Sequence, residues 1–258
     1  MKNNKKLTAL VVARNEENKI ASCLKRLKYA DEIIVVLDRS KDKTKTIAKK
    51  FKAVIYEGSW KMEADRRNFG INKSKNNWVL EVDADEHVPK ELFLEIREKL
   101  KNAIPGYFLI PFDNFIGKRR VRYGWGASWG VSAAPRLSFK GCKVWQKGQL
   151  IHPSIKLKGE KKWLNNRILH YVDDNLNDML KRLIRYTDLK SEDLINQKQK
   201  LPNFFIVLRK GISRFFKCYI SRKGYKEGRI GFLIAVMASL YIVISYIKAD
   251  EKMNKKRI

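Results

Sequence analysis

The sequence predicts an α/β fold: a Rossmann-like, mostly parallel sheet, then a small mixed β region and a C-terminal helical tail. Three observations predict it. Short apolar runs alternate with amphipathic segments through residues 1–104. The runs are too continuously apolar for a sheet wetted on one face, as expected of parallel strands covered on both sides. Acidic residues gather where the runs end, and ligands of such sheets bind beyond the carboxyl ends of the strands.

The elements follow in order. "LTALVVA" at 7–13 is a first strand; it is too short, and lacks the small-residue cleavage site, for a signal peptide. Residues 16–28 set Ile20, Leu24 and Leu27 on one helical stripe. "EIIVVLD" at 32–38 is a strand, 42–51 a helix and "AVIYE" at 53–57 a strand. Residues 62–74 read as helix, "WVLEVD" at 78–83 as strand, and 89–101 as a helix with Pro89 in its first turn. Residues 105–174 turn rich in Gly, Trp and Tyr, with strands expected at "YFLIPF" (107–112) and "KWLNNRILHY" (162–171). Antiparallel strands and long loops there suit a pocket for a second substrate. Residues 175–258 read as helical. A polar helix spans 175–199, "FFIVLRKGISRFFKCYI" (204–220) interleaves apolar and basic residues, and 230–247 is uncharged between Arg229 and Lys248.

The chain has 258 residues, 44% of them hydrophobic, and a formal net charge of +29. That imbalance suits a polyanionic partner: nucleic acid, an anionic membrane face or a phosphorylated substrate. AT-rich codon usage would also raise the lysine content. Cys23, Cys142 and Cys218 lie far apart, without a CxxC or Cys/His cluster. That spacing argues against a zinc site, and reduced thiols in a cytosolic setting fit. Neither GxGxxG nor GxxxxGK[ST] occurs, which removes dinucleotide oxidoreductases and P-loop enzymes.

The stretch "WVLEVDADEH" (78–87) carries most of the chemistry. Asp83 and Asp85 are two apart, so both can reach one point beyond the strand end. Mg²⁺ or Mn²⁺ there would relieve their repulsion and hold the phosphates of a nucleotide. The same acids could instead form a strand-to-helix turn, with Asp85 or Glu86 capping the helix that Pro89 opens. "ARNEE" (13–17) and "LDRSKDKT" (37–44) follow the first two strands. Asp38 at the second tip can accept hydrogen bonds from a ribose or base, whereas Asp42 reads as a turn and cap residue.

Residues 7–51 together with "WKMEADRRNFGINKSKNNWVLEVDADEHV" resemble glycosyltransferase family 2, and within it the lipopolysaccharide core β-1,4-glucosyltransferase branch. "ILHYV" (168–172) and "GYKEGRIGFLIA" (224–235) resemble the same branch. The resemblance implies a GT-A fold, a nucleotide-sugar donor (a UDP-sugar first), a divalent metal, and inversion at the anomeric carbon. It implies a nucleotide-sugar-binding half at 1–104, an acceptor-side half at 105–174, and a membrane-associating tail at 175–258. Residue by residue, Glu16 and Asp38 would contact the nucleoside, with Arg14 beside them. Asp83 would face the ribose or metal, Asp85 the metal, and Arg67 the diphosphate, unless Arg67 is an ordinary exposed helix cation.

The general base is where the chain departs from the family. Related chains often carry His-Glu where "LIHPS" has Pro153 after His152, and an acid ahead of the Arg-Leu pair where "GVSAAPRL" has none. His152, Asp113 and Glu160 remain as candidates. Tyr123, Trp125, Trp129 and Trp145 suit either a saccharide acceptor or packing of a small β region.

The expected function is transfer of a sugar, glucose first, to a lipopolysaccharide core or related glycolipid. The expected location is the cytoplasmic face of the membrane, with no nucleic acid involved. Residues 204–220 would lie in the lipid interface, and 230–247 would span, lie on the membrane or pack as a hairpin. The alternative is a non-enzymatic basic module binding membrane or nucleic acid. It gives no reason for acids at three strand tips. A nucleotidyltransferase would need a Gly-rich basic loop where "ARNEE" stands.

Overall fold

The computed structural model describes residues 5–125, 131–151, 153–197 and 201–255. The strands are β1 (Leu7–Ala13), β2 (Glu32–Asp38), β3 (Val54–Gly58), β4 (Trp78–Val82), β5 (Glu86–His87), β6 (Gly106–Ile116), β7 (Arg119–Val121), β8 (Ala133–Phe139), β9 (Lys143–Trp145), β10 (Ile155–Leu157), β11 (Glu160–Trp163) and β12 (Ile168–Asp173). The α-helices are α1 (Ile20–Arg26), α2 (Thr44–Lys50), α3 (Glu63–Lys73), α4 (Lys90–Leu100), α5 (Leu176–Asn196), α6 (Phe204–Phe216) and α7 (Gly228–Asn254). The chain divides into two units. One holds residues 1–113, 133–148 and 153–171; the other holds 114–132, 149–152 and 172–258. The stretch 105–174, expected as one region, is therefore shared between them, because β6, β8 and β12 pair into the main sheet.

The first unit is built on the strand order β3-β2-β1-β4-β8-β6-β12-β5. β1, β2, β3 and β4 are mutually parallel, while β8 is antiparallel to both β4 and β6. β1 is buried on both faces, as its composition requires. Leu7, Ala9 and Val11 join one core with Leu24, Leu27, Leu92 and Phe93; Leu10 points to the other side, among Ala64 and Ile71 of α3. Trp78 is fully buried, with the rings of Phe108 and Phe139 at 5.6 and 5.5 Å.

Two expected elements change. The helix expected from residue 16 begins at Ile20, because Glu16 O accepts from Lys19 N and Ile20 N in a preceding turn. The strand expected over 162–171 is two strands. Between them Asn165 N and Asn166 N each donate to the Glu95 carboxylate of α4 at 2.8 Å, which closes a turn there.

In the second unit the end of β6 (114–116) forms an antiparallel hairpin with β7. Asn175 caps α5 by accepting from Asp178 N at 3.1 Å, and Arg182 grips Asp173 at 3.0 and 2.6 Å. α7 buries Ile234, Ala235, Met237, Ala238 and Tyr241 with Met179 and Leu183 of α5. Lys248 bonds Thr187 Oγ1 at 2.9 Å and Asp188 Oδ1 at 2.8 Å. Among the described residues, the helical run Gly224–Asn254 alone is long and apolar enough to cross a membrane, and 39% of its most apolar window is buried within the protein.

β11 lies parallel to β6 so closely that a Cβ on Gly106 would stand 2.1 Å from Glu160 O. Gly106→Ala is expected to force the strands apart and cost about 2 kcal/mol or more, seen as a lower midpoint in urea unfolding. An unchanged midpoint would refute the close approach.

Candidate active site

The carboxyl ends of β1, β2 and β4 form one rim, because the strands run parallel in matched register: Ala13 lies opposite Leu37 and Val11 opposite Val82. The loops leaving β1 and β2 are laced together there. Asn15, at φ 55°, donates its N–H to Ser40 Oγ at 3.1 Å and accepts from Lys41 N at 2.8 Å. Glu16 N donates to Thr44 Oγ1 at 2.8 Å, and Glu17 N to Asp42 Oδ2 at 3.0 Å. Asp42 also accepts from Thr44 N at 3.0 Å, so it serves the turn. Arg14 beside this knot is exposed.

Asp38 stands at the tip of β2. It is fully buried, and its oxygens accept from Arg39 at 2.8 and 2.8 Å, Arg66 at 2.7 Å and Trp60 N at 3.1 Å. Burial alone would raise its pKa, but these donors, Arg39 foremost, hold it below the usual carboxylate range. Asp38 thus fixes two guanidinium groups at the tip of β2.

At the tip of β4 the crowded acids meet two arginines. Arg67 Nη2 donates to Asp83 Oδ1 at 2.9 Å, and Arg136 Nη2 to Asp83 Oδ2 at 2.5 Å. Arg67 is itself buried, bonded to Glu63 at 2.7 Å, with its guanidinium 4.8 Å from the Trp145 ring centre. It is not an exposed helix cation. Arg136 also pairs with Glu86, which is 1% exposed. Burial would raise the pKa of Asp83, yet Arg136 and Arg67 outweigh it and keep it far below the carboxylate range. Burial pushes Glu86 up to about 7 despite Arg136, with Asp83 and Asp85 adding to the rise. Glu86 does not cap α4. Its carboxylate accepts from Asp83 N at 3.1 Å, and Pro89 precedes the helix with no side-chain cap.

Asp85 stands apart from the arginines. Its Oδ2 lies 3.7 Å from His170 Nε2, and its carbonyl accepts from Tyr171 N at 2.9 Å. The antiparallel pairing of β12 with β5, His170 opposite Glu86, sets that approach. Burial opposes the charge on both groups, and each overcomes it in the other: His170 holds Asp85 down and Asp85 holds His170 up. Among the described residues no cluster of three or more His, Cys, Asp or Glu side chains could hold a metal ion. With both Asp83 oxygens committed to arginines, Asp85 and His170 are the donors that fit one.

A buried polar platform supports this rim. Lys143 pairs with Glu81, and both side chains are 1% exposed. Burial pushes Lys143 down to about 8 in spite of that partner. Trp145 Nε1 donates to Glu81 Oε1 at 2.8 Å, and Asn68 exchanges two bonds with the Trp145 backbone at 2.8 and 3.0 Å. Trp145 is therefore the floor under Arg67, not a sugar platform. In the second unit Trp125 is also buried, donating to Val121 O at 2.7 Å, whereas Tyr123 is 37% exposed. Trp129 lies outside the described residues.

The three candidate bases separate. In β6, Ile110 and Pro111 lie opposite Ala134 and Ala133, level with the rim, and Asp113 stands two residues beyond Pro111. Its side chain is 14% exposed, 3.7 Å from Arg167. Glu160 lies opposite Gly106, at the other end of β6. Five strand residues put it about 17 Å away, paired with Lys162 at 2.6 Å. That placement removes Glu160. His152 lies outside the described residues.

Arg136 and His170 join the site without having been assigned roles from sequence, and Glu86 was read there only as a helix cap. Arg136 and His170 sit in the "PRL" and "ILHYV" stretches, and that was their signal.

The sequence profile described as Glycosyl transferase family 2 matches residues 8–159. The chain belongs to glycosyltransferase family 2. As such it is an enzyme that moves a sugar from a nucleotide-sugar, on a GT-A fold. It is 24% identical to an uncharacterized glycosyltransferase of Rickettsia conorii, over 98% of this chain and 92% of the relative. It is 22% identical to the lipopolysaccharide core biosynthesis glycosyltransferase LpsC of Rhizobium meliloti, over 95% and 92%. Among solved structures, S. aureus TarS 1–349 in complex with UDP matches with a TM-score of 0.51 at 13% identity, covering 97% of this chain and 92% of that one.

Asp38→Asn in this glycosyltransferase is expected to cost about 2 kcal/mol at pH 7, since two arginines lose a buried carboxylate. The depressed pKa makes that contribution complete above the unfolded value of about 3.9 and lost as pH falls through the lower folded value. Urea midpoints of the two proteins should therefore converge as pH drops from about 4 toward 2. A constant gap across that range would exclude the ion pair.

Proposed function

We propose that this glycosyltransferase transfers a hexose, glucose first, with inversion. The donor would be a UDP-sugar and the acceptor a lipopolysaccharide core or related phosphorylated glycolipid, met at the cytoplasmic face of the membrane. One observation carries the reading: Asp85 and His170 converge at 3.7 Å beside the arginine-held Asp83, at the carboxyl end of β4. The lipopolysaccharide core biosynthesis role of LpsC supports the acceptor class, and the complex of TarS with UDP supports the donor class.

In this mechanism Arg39 and Arg66, fixed by Asp38, face the nucleoside with Glu16 and Arg14. Asp83 holds Arg67 and Arg136 toward the diphosphate. Asp85 and His170 would hold Mn²⁺ or Mg²⁺, with the remaining positions left to water and the diphosphate. Bound there, the ion would supply positive charge to the departing nucleoside diphosphate. The acceptor hydroxyl attacks the anomeric carbon from the face opposite the leaving group. The bond from that carbon to the diphosphate oxygen breaks, and Asp113 takes the hydroxyl proton. Arg167 stands 3.7 Å from Asp113 Oδ1. The second unit supports membrane association: α6 offers exposed apolar and basic residues, and α7 leaves part of its apolar surface uncovered.

Calorimetry with UDP, GDP and CDP, with and without Mn²⁺, tests the donor site. UDP should bind only with the metal, and Asp85→Ala and His170→Ala should each lose that binding while remaining folded. Failure of every nucleotide to bind the wild-type protein with metal would sink the proposal.

Asp113→Asn should keep metal-dependent UDP binding and lower kcat by about 100-fold or more. A variant with wild-type turnover would hand the base to another residue.

A further inference from the structure

We propose that the second unit carries a site for the phosphate-bearing headgroups of anionic phospholipid, built on one side of α6. The inference rests on the membrane-associated reading above and adds which lipid chemistry is recognised and by which side chains.

Residues of an α-helix advance by about 100° each, and by that rule α6 has three sectors. The first packs inward. Val207 and Gly211 are buried, and a Cβ on Gly211 would stand 3.0 Å from Val243 Cγ2 of α7. α6 and α7 therefore lie against each other at close range. The second sector holds Phe205, Leu208, Ile212 and Phe216, all exposed, with Phe205 at 76%. The apolar face of this amphipathic helix is thus the one turned outward. The third sector holds Arg209, Lys210, Ser213 and Arg214, and Lys217 continues it into the π-helical turn Lys217–Ser221. These five residues, with Ile242 of α7, line a cleft of about 460 Å³.

The cleft collects four cations and one hydroxyl, and no Asp or Glu lines it. From 201 to 226 the chain contains no acidic residue at all. Like charges brought together around a concavity repel, and an anion with several acceptor oxygens offsets that cost. A phosphate diester is such an anion.

The neighbouring sector identifies its source. Exposed Phe, Leu and Ile side chains on the same helix suit insertion into acyl chains, while the flanking Arg and Lys meet the headgroups just above them. Phe232, Leu240 and Ile247 of α7 are exposed as well. A nucleic acid would use the cations but would leave this aliphatic surface in water. A neutral lipid surface would use the aliphatic surface but would leave the cations unanswered.

The test is co-sedimentation of the full chain with vesicles of phosphatidylcholine, with and without phosphatidylglycerol. The wild type should prefer the phosphatidylglycerol vesicles and lose that preference in high salt. Arg209→Gln with Lys217→Gln should weaken partition into them by about 30-fold, roughly fivefold per cation removed, with partition into phosphatidylcholine unchanged. Phe205→Ser with Phe216→Ser should weaken partition into both. UDP calorimetry on each variant reports an intact first unit. Wild-type partition by the double Gln variant would overturn the site. So would capture of nucleic acid in preference to the anionic vesicles. Equal binding of the wild type to both vesicles would overturn the headgroup site and leave membrane association standing. Binding to neither would take both down, and metal-dependent UDP binding would still decide the transferase reading separately.

Discussion

The working end of the first unit depends on one carboxylate shared by two guanidinium groups. Asp83 is the meeting point of Arg67 from α3 and Arg136 from β8, elements far apart in sequence. Without them, Asp83, Asp85 and Glu86 would crowd the end of β4 with like charge. With them, the repulsion becomes a cross-link between a helix, a parallel strand and an antiparallel one. Such buried pairs contribute little net stability beside an apolar alternative, but removing one partner strands the others. The arrangement is thus better understood as fixing the geometry of the rim than as adding to the core.

Support for that geometry comes from a layer of polar groups away from the rim. Lys143 and Glu81 pair where both are almost wholly buried, and Trp145 bonds to Glu81 and to Asn68. Arg67 then rests over Trp145. Every link passes from a charged group to one that cannot rotate away, so the guanidinium plane is set before any ligand arrives. That is the kind of preorganisation electrostatic catalysis requires.

Much of the first unit was legible in the sequence, and the reason is local. β1 to β4 are buried on both faces, so each is a continuous apolar run, and the helices between them carry clear stripes. Later elements escaped because their signals are not local. The turn at Asn165 and Asn166 exists only because Glu95, on a distant helix, accepts both N–H groups. Glu160 stands away from the rim because β11 pairs opposite Gly106, a register that nothing in the sequence gives. Arg136 is one arginine among many in a chain this basic, and only the pairing of β8 with β4 singles it out. Asp38 was recognisable as a strand-tip acid, but its burial under Arg39 and Arg66 was not. Cation partners that arrive from loops have no fixed spacing to the acid they serve.

The charges at the rim also argue for a further cation in the working enzyme. Arg67 and Arg136 face Glu63, Asp83 and Glu86, so the fixed cations are already matched or outnumbered before Asp85 is considered. A nucleoside diphosphate brought to this rim adds negative charge that these arginines cannot offset alone. Asp85 favours the charged form of His170, which adds one positive charge beside the rim. Under the proposed mechanism that further positive charge would enter with the donor, as a divalent ion held by Asp85 and His170. The chain has no glycine-rich phosphate cradle, and this arrangement explains how it can do without one. Where other α/β folds aim helix dipoles and backbone N–H groups at an anion, this rim presents side-chain cations held in place by acids.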